Sequence, residues 1–366
     1  MFKKNFLTIA ICLFFVGYGG GEESIDTIME NNSSVLKSQI VSQIEPYYYR
    51  QWYLDYNKIF YDENGIDKDA NVHIGDYLKK YNGDGIKIAV IDDGLDIKHE
   101  DLVGAITKTF DIAAHSTNVA HTNIEDFHET AVTGIIGARV NGRGIRGIAC
   151  KAKIIFLKYK DRMSDSEIVE LFNKAKEFRA DIINCSCGTY DASDAEKEKI
   201  KDLAKNRKDG KGIIIVFAAG NDNKDIGNDE SAIPEVISVS TTDEYNERAT
   251  TYSNYGPNLN LLAPGGYEFG IITIDDMNNK GKASINKNYI LYNNHNCFAG
   301  TSDAAPIVIG VIALMLEKNP NLTREEVENI LKQSCDKIGN IEYKNGRNDY
   351  YGYGKINLTK IMRKIK

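Results

Sequence analysis

The segment Gly300-Thr301-Ser302-Asp303-Ala304-Ala305-Pro306 runs straight into Ile307-Val308-Ile309-Gly310-Val311-Ile312-Ala313-Leu314-Met315-Leu316. A run with no polar face reads as a helix buried on all sides, so the chain must wrap other elements around it. Pro306 belongs in the first turn of such a helix, where a missing N–H would be unpaired anyway. Ser302 then sits at the helix's positive end, which favours developing negative charge. A serine in that place is ordinarily an N-cap. Acting as a nucleophile would require partners elsewhere.

Other apolar runs supply the wrapping. After the turn signal Asn82-Gly83-Asp84-Gly85, residues Ile86 to Ile91 read as a buried strand with Asp92-Asp93-Gly94 at its end. Ile154 to Leu157, Ile182 to Asn184, Ile213 to Ala219 and Val236 to Val239 read the same way. A Ser164…Glu167 capping box opens a helix carrying Ile168, Leu171, Phe172, Ala175 and Phe178 on one face. Further helices are expected after His128, whose followers Ala131, Val132, Ile135 and Ile136 recur at helical spacing, from Asp194 to Arg207, and from Thr323 to about Ser334. Strands alternating with helices predict an α/β fold, a parallel sheet with helices on both faces. Chemistry in such sheets collects at the carboxyl ends of the strands.

With 366 residues, 42% of them hydrophobic, the chain has material for a large core. A net charge of -7 without a basic run gives no sign of a nucleic-acid partner. Lys3-Lys4, the apolar run Phe6 to Gly17 and the small residues after it make 1–21 a signal peptide, too short for a comfortable membrane span. Export with no transmembrane segment in the mature form is expected. Phe15-Val16-Gly17-Tyr18 resembles a lipoprotein signal, with Tyr18 where the acylated cysteine would stand. Residues 22–46 read as a polar tether and 47–362 as the folded domain, with no second domain after it. Once Cys12 leaves with the signal, Cys150, Cys185, Cys187, Cys297 and Cys335 remain, without a metal-binding Cys-x-x-Cys pair. One or two disulfides stay open. Cys185 and Cys187, two apart on a strand, are expected to face opposite ways and not to bridge.

An aspartate ending a buried strand, a histidine opening an apolar helix and the serine first described stand in the order Asp…His…Ser, one of the known orders of a nucleophilic triad. Ile91-Asp92-Asp93-Gly94 with His99-Glu100-Asp101-Leu102, Phe217-Ala218-Ala219-Gly220-Asn221, Asn254-Tyr255-Gly256-Pro257 through Ala263-Pro264-Gly265, and Gly300-Thr301-Ser302 with Ala304-Ala305-Pro306 resemble the successive blocks of the subtilisin-like serine peptidases. Gln51-Trp52-Tyr53-Leu54 and Asp209-Gly210-Lys211-Gly212 resemble the kexin branch.

The resemblance implies a three-layer subtilisin-like fold and an exported endopeptidase acting on polypeptides. Ser302 would be its nucleophile, His128 the general base, Asp92 the orienting carboxylate and Asn221 the oxyanion donor. Cys185-Ser186-Cys187-Gly188 would pair with an extended substrate. A structural Ca2+ would be held by Asp101, Asn141 and the loop through Arg139, Arg143 and Ile145, oxygen donors of the kind calcium prefers. Too few residues precede Tyr47 for the family's prodomain, which leaves room for a separate folding chaperone as partner. Kexin-like enzymes cut after basic residues, and Asp191, Asp194, Asp222, Asp225 and Asp229 are candidate acidic subsites.

Three positions depart from the family pattern. Glu129 stands where glycine follows the histidine; it is expected to crowd the aspartate strand or the substrate channel and to favour the imidazolium. Asp303 adjoins the nucleophile, and Cys187 replaces a larger wall residue. A second reading follows, a catalytically impaired relative acting as a peptide-binding module. A dinucleotide-binding domain is disfavoured, since no G-x-G-x-x-G follows the first strand.

Overall fold

The computed structural model describes residues 45–121, 127–189, 191–205, 210–278, 281, 288–291 and 298–366. Residues 1–44, which include the expected signal peptide and most of the expected tether, and Cys297 lie outside them. Seven parallel strands form the central sheet: β1 (Lys87–Asp92), β2 (Ile106–Asp111), β3 (Lys153–Lys158), β4 (Ile182–Cys185), β5 (Ile214–Ala218), β6 (Ile237–Thr242) and β7 (Leu261–Pro264). Their order is β2-β3-β1-β4-β5-β6-β7. The chain crosses β1 between β3 and β4, a switch point that opens a crevice beyond the carboxyl ends of the strands. β8 (Thr273–Ile274) and β9 (Tyr289–Ile290) form a separate antiparallel pair.

Because strand side chains alternate, the sheet feeds two cores. Ile88, Val90, Ile154, Phe156, Val216 and Val239 face one, which contains α2 (His128–Gly137) and α5 (Thr301–Lys318). Ala89, Ile91, Ile155, Leu157, Ile215 and Phe217 face the other, covered by α3 (Asp165–Glu177) and α4 (Asp194–Lys205). The result is the expected three-layer α/β architecture. The short α1 (Lys58–Asn64) precedes the sheet, and α6 (Arg324–Ser334) and α7 (Leu358–Lys364) close the chain.

α5 is the buried axis expected from its composition, packed across β4 to β7 and against α2. Gly310 allows that fit, since a Cβ there would come within 2.5 Å of Ile148. The Ser164–Glu167 capping box forms, and a second, Thr323–Glu326, opens α6. Among the described residues no helix is long and apolar enough to cross a membrane.

Two details of the helix differ from expectation. Gly300 is the N-cap, so Ser302 is the second helical residue and not a cap. Pro306 is then the sixth, in the second turn. A proline there cannot bond the carbonyl four residues back, which belongs to Ser302.

Candidate active site

Asp92 closes β1 and is 1% exposed, whereas His128 opens α2 with 31% of its side chain exposed. Asp92 Oδ2 lies 3.2 Å from His128 Nδ1. The other oxygen accepts the Asp93 N–H at 3.2 Å. Phe298 meets the imidazole edge-on, with ring centroids 5.7 Å apart. Burial works against a charged His128, but the Asp92 carboxylate beside it, then Asp303 and Asp93, outweigh it and raise its pKa to about 9.

Ser302 reaches the same crevice from α5. Its carbonyl, freed by Pro306, accepts the Ser186 hydroxyl at 3.1 Å, and its own Oγ donates to the Ser186 carbonyl at 3.1 Å. This reciprocal pair fastens the helix end to the segment after β4. Among the described residues Ser302 Oγ and His128 share no hydrogen bond. Oγ is instead committed to the Ser186 carbonyl.

Asn221 follows β5 through Gly220, whose φ of 94° suits glycine and whose absent Cβ leaves Asn254 Nδ2 room that a side chain would close to 2.5 Å. Asn221 Oδ1 accepts the Thr301 N–H at 2.9 Å and the Thr301 hydroxyl at 3.0 Å. With the oxygen committed, the NH2 end is the donor left beside the helix N-terminus. Asp303, also on α5, is fully buried and acts on His128 through its charge.

The expected substrate segment continues β4. Cys185 and Cys187 line one cavity of about 390 Å³ with Ile91, Tyr159, Met163 and Phe172. The expectation that they face opposite ways is therefore wrong: residues two apart on an extended chain share a face. Both are free thiols, as are Cys150 and Cys335. Asp229 stands against Gly188, where an added Cβ would come within 2.7 Å of Asp229 Oδ2. Asp194 instead begins α4, and Asp191, Asp222 and Asp225 engage Asn228, Lys224 and the Gly227 N–H.

Glu129 is fully buried in the first turn of α2. Its Oε1 lies 3.9 Å from His128 Nδ1 and its Oε2 3.6 Å from His121 Nδ1. Asp92, not Glu129, is the foremost group raising His128. His121 escaped the sequence reading, because nothing in its neighbourhood carries a helical or strand period.

The expected calcium loop gathers around Asp101, which is fully buried and has its carboxyl pushed up to about 7 by that burial. Asn141 Nδ2 donates to Asp101 Oδ1 at 3.0 Å, and the Ile145 N–H reaches Oδ2 at 3.4 Å. The arginine side chains are turned to other partners: Arg143 pairs with Glu100 at 2.7 Å, and Arg139 donates to the carbonyls of Gly104, Cys150 and Ala152. Glu45, placed in the tether from sequence, is 1% exposed; its Oε1 accepts from Asn141 and Gly142, and its Oε2 has no hydrogen-bond partner.

A calcium-dependent protease of Trichormus variabilis is 34% identical over 343 residues, 85% of this chain and 50% of that protein. A thermophilic serine proteinase of a Bacillus species is 31% identical over 277 residues, 75% of this chain and 60% of that protein. The chain thus spans about half the length of the first of these and less than two thirds of the second. The fold matches the Aeromonas sobria serine protease solved in complex with its chaperone, with a TM-score of 0.75 at 20% identity, covering 87% of this chain and 66% of that one. The family model described as the Subtilase family matches residues 83–354, and with relatives above 30% identity the chain belongs to that family.

Proposed function

We propose that the protein is an exported serine endopeptidase in which Ser302 attacks the peptide carbonyl, His128 takes and returns the proton, and Asp92 holds the imidazole with Nε2 free to accept. The observation that carries this is Asp92 Oδ2 at 3.2 Å from His128 Nδ1, in the crevice that Ser302 enters from a buried helix N-terminus. Asn221 Nδ2 and the helix's first N–H groups would stabilise the oxyanion, an effect of ~2.7–4 kcal/mol for one such donor. An extended substrate would lie along Ser186 to Gly188, with the thiol-walled cavity receiving one of its side chains. Asp229, beneath Gly188, supports a kexin-like preference for a basic residue there. The Aeromonas neighbour's chaperone supports a folding partner for this chain, and residues 1–21 support export.

The second reading, a peptide-binding relative with little turnover, draws on the buried Glu129 carboxylate 3.9 Å from His128 Nδ1. A fluorophosphonate probe separates the two. It is expected to label Ser302 in the folded, calcium-loaded protein, and His128→Ala to lose the label. An unlabelled Ser302 in folded protein excludes the peptidase.

Calcium fits the Asp101 loop. The buried Asp101 carboxylate and the Glu45 oxygen that has no hydrogen-bond partner among the described residues are hard oxygen donors, and a cation there would keep Asp101 ionised at neutral pH. Glu45 thereby joins Asp101, Asn141, Arg139, Arg143 and Ile145 in the proposed set. Free calcium at 100 times its dissociation constant would stabilise the fold by about 2.7 kcal/mol. A chelator is expected to lower Tm and calcium to restore it; Asp101→Asn is expected to remove most of that response. A Tm indifferent to calcium in the unaltered protein would exclude the site.

A further inference from the structure

Next to His128, the sequence departure at Glu129 meets a second histidine. Asp93, His121 and Glu129 each bring one ligand atom into a group whose members all lie within 4.8 Å of one another. Glu129 is fully buried, and among the described residues neither of its oxygens has a hydrogen-bond partner. A carboxylate in that condition is strongly unfavourable unless a cation or proton compensates it.

The state of His121 can be read from its surroundings. Its Nε2 lies 3.0 Å from Asp276 Oδ2 and 3.3 Å from Thr130 Oγ1. The Thr130 hydroxyl gives its own proton to Asp276 Oδ1 at 2.5 Å and accepts the Asp96 N–H at 3.1 Å. With the hydroxyl proton committed to Asp276, Nε2 is the donor to Thr130 Oγ1 and lies beside the Asp276 carboxylate. Its Nδ1 is buried without a hydrogen-bond partner and faces Glu129 Oε2 at 3.6 Å. A histidine whose far nitrogen is held by a hydroxyl–carboxylate pair while the near one offers a lone pair is oriented as metal-bound histidines are. Gly94 makes space for the ring, since a Cβ there would come within 2.9 Å of His121 Nδ1.

We propose that Asp93, His121 and Glu129 bind a divalent transition-metal ion of the zinc class, with Asp276 and Thr130 as positioning residues. One imidazole and two carboxylates are ligands that zinc and cobalt accept, and bonds of about 2.0–2.2 Å require only a small inward movement from the present spacing. The same ion would fix Glu129 on His121 and away from His128, so that Asp92 keeps the imidazole to itself. The inference does not depend on peptidase activity.

The test uses full-length Ser302→Ala protein in saturating calcium, which fills the Asp101 loop and prevents self-digestion. Cobalt is titrated in and followed by its visible absorption, and zinc by calorimetry. One equivalent is expected, with the intense bands of a low-coordinate site. Glu129→Gln, nearly isosteric, and His121→Asn should each weaken binding by more than about 100-fold, and Asp276→Asn by about 10–100-fold. His128→Ala should bind as before. Circular dichroism and Tm confirm folding, and the isosteric Glu129→Gln keeps the test decisive if His121→Asn unfolds. No binding would mean that His121 and Glu129 are only packing neighbours, and the proposal falls. It falls equally if His128→Ala abolishes binding while His121→Asn does not, because the ion then lies on Asp92, His128 and Glu129, the other group of ligand atoms in reach.

Discussion

Replacing Ser302 by alanine is expected to lower kcat on a peptide substrate about 10⁶-fold, and His128→Ala, alone or combined with it, to reach the same floor and go no further. That size and that non-additivity are the ones established for the serine and histidine of subtilisin itself. They arise because the two side chains perform one step: once the nucleophile is gone, a base has nothing to deprotonate. The loss should not come from unfolding. Ser302 Oγ makes one hydrogen bond, to the Ser186 carbonyl, worth about 1 kcal/mol, while the reverse bond from Ser186 goes to the Ser302 backbone and survives. Tm should therefore move by about 2–4 °C or less. Steady-state kinetics of the three variants with Tm measured alongside check this. Additive losses, or a Ser302→Ala enzyme within tenfold of the parent, would overturn the assignment of both residues.

That such a prediction can be made traces to how local the signals were. β1 and β3 to β5 are mainly apolar runs because both faces of each are covered, and such runs are visible in sequence, whereas β6, Ile-Ser-Val-Ser-Thr-Thr, was marked only by its apolar first half. The edges were not visible. β2, Ile-Thr-Lys-Thr-Phe-Asp, is half exposed and carries no apolar run, and β7 ends in Pro264, which only an edge position tolerates. The same division runs through the site. Asp92, His128 and Ser302 each abut a long apolar element, so the sequence marks their place. Glu45 and His121 sit in irregular chain, and their burial comes from residues distant in sequence: Asn141 and Gly142 for one, Glu129 and Asp276 for the other. No period or cap announces contacts of that kind. The glycine-to-glutamate departure at Glu129 was legible, but its partner His121 was not, so sequence alone left its side chain between the aspartate strand and the substrate channel, with only His128 as neighbour.

Asp92→Asn is expected to cost about 10⁴-fold in kcat with the fold retained, the loss known for the same change in a chymotrypsin-type triad. The cause is the proton on the imidazole. Asp92 Oδ2, 3.2 Å from His128 Nδ1, selects the tautomer with Nδ1–H, which leaves Nε2 to accept from Ser302. An amide NH2 in its place donates to Nδ1 and moves the proton to Nε2, where it blocks acceptance. The pH profile gives an independent readout. His128 is faced by Asp92 from β1, Asp93 from the turn after it, Glu129 from α2 and Asp303 from α5; burial lowers its pKa, and the net effect of Asp92, Asp303 and Asp93 raises it to about 9. Because the base must be neutral, kcat/KM of the parent should rise with pH through that region, above the ordinary histidine range near 6.5. In the variant the foremost raising group is gone while burial persists, so the inflection should move to lower pH as the plateau falls. Stability carries the same signature with its own sign. A folded-state pKa above the unfolded value makes the Asp92–His128 contribution complete below about pH 6.5 and lost as pH rises through about 9. The Tm difference between parent and variant, measured with calcium present and transition metals removed, should accordingly shrink across that window. A difference that grows with pH, or an unmoved inflection, would mean that Asp92 does not hold the imidazole.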